Sequence, residues 1–107
     1  MTYSVSILLR ARQDVQQIFD WLAARSEQGA QSWFESFEVS VSALSKNPFL
    51  AAIAPENDHC KREIRHVLFR TRQGRFYRAL FTVVESEVRI LRVRGPGEPP
   101  VRSKDME

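Results

Sequence analysis

Between residues 61 and 78 the chain carries Lys61, Arg62, Arg65, Arg70, Arg72, Arg75 and Arg78, with His66 and Tyr77 among them. A guanidinium is a planar fork of donors that pairs bidentately with carboxylate or phosphate, so such a run is chemistry for holding an anion. His66 and Tyr77 are side chains of this stretch able to transfer a proton, although Tyr77 serves equally well as a core residue of an alternating strand. Arg89, Arg92 and Arg94 extend the basic set, and residues 59–97 hold ten basic against three acidic groups. Solvated arginines, or arginines offset by acidic neighbours, are the alternative to an anion-binding surface.

Other chemistries find less support. His59 and Cys60 are adjacent, which turns their side chains apart, and His66 has no second ligand at metal spacing, so no metal site is expected. Cys60 lacks the His and Asn partners of a cysteine nucleophile, and as the single cysteine it forms no internal disulfide, which suits a reducing compartment. Gly95 and Gly97 do not open a helix and Pro96 removes an amide donor, so "RGPGEPP" is no phosphate cradle. Glu35 and Glu38, at helical i, i+3 spacing, read as a solvated face. No cofactor is expected.

The positive charge belongs to one half of the chain. Residues 1–58 hold four basic and seven acidic groups, residues 59–107 twelve and six, around a net charge of +3. An acidic partner is implied, either a nucleic acid or an acidic protein segment. At 107 residues the chain is one domain by length, able to bury roughly two thirds of its unfolded surface. It has neither a basic leader followed by an apolar run nor a stretch of ~20 apolar residues, so a soluble cytoplasmic protein without membrane contact is expected.

The elements that must position these residues follow from hydrophobic period. "YSVSILL" alternates with period two, a half-buried strand over residues 3–9. From about Ala11 the pattern becomes helical through Val15, Ile18, Phe19 and Leu22, with Asp14 and Gln17 as a capping pair; Gly29 breaks this helix near Gln28. A second helix runs through Trp33, Phe34, Phe37, Val41 and Leu44 to Asn47-Pro48. Residues 49–62 read as a loop. Ile64–Phe69, Phe76–Val84 and Val88–Val93 read as three meandering strands, and residues 98–107 as an irregular or disordered tail after a domain of residues 1–97. The order β-α-α-β-β-β predicts an α+β two-layer sandwich, a helical hairpin packed on a small mostly antiparallel sheet whose other face stays open. Strict alternation puts Arg78 on that open face, opposite Tyr77, Ala79, Phe81 and Val83. It puts Arg92 and Arg94 with Val88 and Ile90, and Arg89 with Leu91 and Val93, leaving both faces mixed.

The order of elements, together with "DVQQIFDWLAARSEQGAQSWFESFEVSVSALSKNP", "IRHVLFRTRQGRFYRALFTV" and "VRILRVRGPG", resembles the RelE/ParE superfamily of type II toxin-antitoxin toxins over residues 3–97. The resemblance implies a growth-inhibiting toxin of plasmid-stabilisation type, neutralised in a hetero-oligomer by an antitoxin encoded beside it. Its target would be DNA gyrase or, in the other branch, mRNA on translating ribosomes. Members that cut mRNA use basic residues on the sheet and the preceding loop plus a Tyr or His after the last strand. Lys61, Arg62, Arg65 and Arg78 match the basic set, with His66 and Tyr77 as substitutes for the acid/base group, since Pro96 and Gly97 stand where it is placed. The favoured reading is therefore a ParE-like, non-enzymatic gyrase inhibitor. The alternatives are a metal-independent ribosome-dependent endoribonuclease and an antitoxin-binding module without toxicity. Arg62, Arg65, Arg78, Arg92 and Arg94 are the expected partner-binding residues.

Overall fold

Strand β1 (Ser4–Ile7) leads into α1 (Leu9–Ala23) and α2 (Glu27–Ala43). After a 3-10 turn at Pro48–Leu50 come β2 (Ala52–Ile53), a second 3-10 turn at Pro55–His59, and β3 (Arg65–Phe69), β4 (Tyr77–Val84) and β5 (Glu87–Arg94). The computed structural model describes residues 2–71 and 74–106. Arg72 and the side chain of His59 lie outside the described residues. The sheet runs β1-β5-β4-β3-β2, with β1 parallel to β5 and every other pair antiparallel.

The α+β hairpin-on-sheet architecture is as the periodicity implies, with differences at the helix ends. α1 begins at Leu9 without a side-chain cap, and Asp14 is not its capping residue. The interhelical break falls at residues 24–26 rather than at Gly29. The Ser26 hydroxyl accepts from the Gly29 amide at 3.0 Å, an N-cap that starts α2 three residues before the glycine. Gly29 is then a first-turn residue, and a Cβ there would sit 3.2 Å from the Ser26 hydroxyl oxygen. Residues 49–62 are not a plain loop, since Ala52 and Ile53 pair with His66 and Arg65 as the edge strand.

Two clusters sandwich the sheet. On the helical side Trp33, Phe37, Val41 and Leu44 meet Phe69, Ala79, Phe81, Val88, Ile90 and Val93. Trp33, Phe37, Phe69 and Tyr77 form a ring lattice with centroids 5.4–6.2 Å apart, a spacing at which aromatic pairs add to plain area burial. The opposite face is not open. Leu80 and Leu91 are buried there beneath Ala54, Ile64, Val101 and Met106, contributed by the β2–β3 connection and the tail. The described tail is irregular backbone with one 3-10 turn, Ser103–Asp105, and it is packed.

Candidate functional site

The position of the arginines is set by a bulge. The β4–β5 register passes from Leu80↔Arg92 to Phe81↔Ile90, leaving Leu91 as an extra residue. One inserted residue flips the alternation beyond it. Val88, Ile90 and Val93 consequently all face the helices, while Arg89, Arg92 and Arg94 share the opposite face with Arg78, which pairs with Arg94. Strict alternation assigns Arg92 and Arg94 to the wrong side, because the bulge lies within a run of residues compatible with either face.

Arg78 meets Glu56 in a bidentate pair, Nη1 to Oε1 at 2.9 Å and Nη2 to Oε2 at 2.7 Å. The Glu56 side chain has no exposed surface, and it also accepts from the Val101 amide at 2.9 Å. Burial by itself would raise the Glu56 pKa, but the Arg78 hydrogen bonds, the Val101 amide and the Arg78 charge outweigh it and hold the carboxyl at about 2. His66, opposite Leu80 in the register, places Nδ1 3.1 Å from Arg78 Nη1. Burial and then the Arg78 charge lower its pKa, against the pull of Glu56, so the imidazole is held neutral. Glu56 is the residue that linear reading misses: 22 positions separate it from Arg78, and its only local mark is a carboxylate after Pro55 beside an apolar run.

The remaining arginines are largely occupied as well. Arg92 holds Asp14 through Nε at 2.7 Å and Nη2 at 2.9 Å and donates to the Asp105 carbonyl at 2.9 Å. The same Asp14 accepts from the Val93 amide at 2.9 Å, satisfying β5 where β1 has ended. Arg94 pairs with Glu98 at 3.0 Å and donates to the Pro99 carbonyl. Gly97, at φ 77°, permits the turn that brings Glu98 back. Arg65 lies on the helical face opposite Phe81, with Glu63 at 2.8 Å, the Ala51 carbonyl at 2.6 Å and the Phe49 ring beneath it.

The expected set is therefore divided. Arg78, His66, Arg92 and Arg94 share one face. Arg65 and Tyr77 belong to the other, Tyr77 stacked on Phe69 and edge-on to Trp33. Burial, then the Glu98 charge, raise the Tyr77 pKa, so its hydroxyl stays protonated. Lys61 and Arg62 are exposed on the β2–β3 connection. The arrangement can present a guanidinium and a neutral imidazole together, but the charge on Arg78 is already compensated.

Among the described residues no helix is long and apolar enough to cross a membrane, and no group of three or more His, Cys, Asp or Glu side chains is placed to hold a metal ion. A family model described as the ParE toxin of the type II toxin-antitoxin system, parDE, matches residues 5–98. No curated protein matches the chain.

Proposed function

The chain belongs to the ParE toxin family of type II toxin-antitoxin systems, and from that premise we propose that it inhibits DNA gyrase and is neutralised by a cognate antitoxin. The observation that carries this reading is the family match, which spans the hairpin and all of the sheet but the first residue of β1. The chemistry of the face supports it. Cleaving RNA through its 2′-hydroxyl needs a base for the nucleophile and an acid for the leaving oxygen. β5 runs into Arg94-Gly95-Pro96-Gly97, which offers neither.

One observation favours a second reading. The neutral His66 accepts from Arg78 Nη1 through Nδ1 at 3.1 Å and so carries its proton on Nε2, a proton donor beside a guanidinium, the pair a ribosome-dependent endoribonuclease could use to protonate a leaving oxygen. Induced expression in a bacterial host, with and without the antitoxin, separates the readings. Gyrase inhibition produces filamentation, a DNA-damage response and loss of supercoiling activity by purified gyrase, with ribosome-bound mRNA intact. Cleaved mRNA establishes the enzyme instead. A folded protein without a growth effect is an antitoxin-binding module.

A further inference from the structure

The end of α1, the residues just ahead of β4 and those that follow β5 line a cleft of about 630 Å³ where the helical hairpin meets the sheet. That volume falls in the range of small-molecule sites. Its apolar walls are within reach of a ligand. Ile18, Leu22, Tyr77 and Pro96 are half-buried, and Trp21 is 55% exposed with the Arg25 guanidinium 3.6 Å from its ring centroid. Trp33 also borders the cleft, 2% exposed and edge-on to Tyr77, and its buried Nε1 finds no acceptor among the described residues.

The polar groups of this cleft are donors in excess. Arg75 is exposed and makes no hydrogen bond or ion pair among the described residues, and the Tyr77 hydroxyl, held protonated, makes no hydrogen bond among them. Arg25 makes one, from Nη1 to the Trp21 carbonyl at 2.9 Å. Glu98, the one acid among the described lining residues, is already engaged: one oxygen accepts from the Gly95 amide at 2.7 Å and the other pairs with Arg94 at 3.0 Å. Arg72 and Gln73, next to Thr71 and Gly74 in the sequence, bring no carboxylate. Arg78, Arg92 and Arg94 are each matched by an internal acid. The unmatched donors beside this apolar cleft call for an acceptor from outside.

We propose that the cleft binds a small aromatic anion, a flat ring system carrying one carboxylate. The ring lies against Ile18, Leu22 and Pro96, where pairing with the rings of Tyr77 and Trp21 favours a flat aromatic body over an alkyl one. The carboxylate takes the Arg75 fork and the Tyr77 hydroxyl. A single-stranded nucleic acid would need a basic track that passes several rings in succession, whereas here rings and donors surround a single seat. The proposal goes beyond the toxin reading and does not depend on it.

The test is an NMR titration of the full-length, isotope-labelled protein with naphthoate, its neutral analogue naphthylmethanol, the non-aromatic cyclohexanecarboxylate and a short oligo-dT strand. Trp21→Phe assigns the two indole N–H signals. Naphthoate should move the Trp33 indole signal and the Gly95 amide saturably. It should bind at least about tenfold more tightly than either small analogue and lose at least about tenfold in Arg75→Gln, and about two- to fivefold in Tyr77→Phe. Lys61→Gln/Lys104→Gln, which alters a different cleft, should change its affinity less than about twofold. Circular dichroism confirms that each variant is folded. Failure of naphthoate to saturate, equal binding by either small analogue, undiminished binding by Arg75→Gln, or larger shifts of the same signals by oligo-dT overturns the proposal. The growth assay is separate: a toxin that ignores naphthoate keeps the toxin reading and loses the cleft, and a naphthoate-binding protein without a growth effect does the reverse.

Discussion

Arg78, on the middle strand of the sheet, is locked by a carboxylate that reaches it from a five-residue 3-10 turn: both Glu56 oxygens lie within 2.9 Å of its guanidinium. One oxygen also takes the Val101 amide, so a single buried carboxylate ties strand, connection and tail together. An arginine whose residue type and position suggest anion binding is thereby a structural cation.

Acid should destabilise the protein in two stages. Glu56 titrates near 4.5 when unfolded and at about 2 when folded. The unfolded chain therefore binds its proton first, and the Glu56 contribution, on the order of 3 kcal/mol, is present above about pH 4.5 and lost as pH falls towards 2. His66 acts at higher pH. Its folded pKa lies below the usual value of 6.5, so stability begins to decline as pH falls through that value. Urea unfolding between pH 7 and 3 checks both stages, and His66→Gln should remove only the first. A flat profile would contradict the buried network.

Glu56→Ala leaves the mostly buried Arg78 guanidinium uncompensated and should cost about 3 to 5 kcal/mol. Converting both partners, Glu56→Leu with Arg78→Met, should recover much of that loss. Equilibrium unfolding of the two single variants and the double variant gives the coupling, and additivity would show that the pair is not the anchor described.

Asp14→Ala should expose the Val93 amide and free Arg92. We expect faster hydrogen exchange at Val93 and a loss of about 1 to 3 kcal/mol, with α1 helicity kept. Fraying of α1 in the far-ultraviolet circular dichroism, with Val93 still protected, would restore the capping role.

Phe37, 1% exposed, packs against Trp33 and Phe69. Phe37→Ala should cost about 3 to 5 kcal/mol in denaturant unfolding. A cost below about 1 kcal/mol is incompatible with this helix packing on the sheet.

The sequence by itself determined the elements, their order and the hairpin-on-sheet packing, because hydrophobic period is local: alternation through Tyr77–Val84 and the i, i+3, i+4 spacing of Trp33, Phe37 and Val41 read out within a few residues. It also carried the family resemblance and the basic half of the chain. Only the tertiary structure decided what those charges do. The extra residue at Leu91 depends on β4 lying alongside, so no pattern within "VRILRVR" fixes where Arg92 and Arg94 point. Glu56 finds Arg78 and Asp14 finds Arg92 across 22 and 78 residues. Such pairs exist once the chain has folded back on itself and desolvated both partners, and no spacing in the sequence encodes them. Lys61, Arg62 and Lys104 come near one another for the same reason, when the tail packs over Leu91.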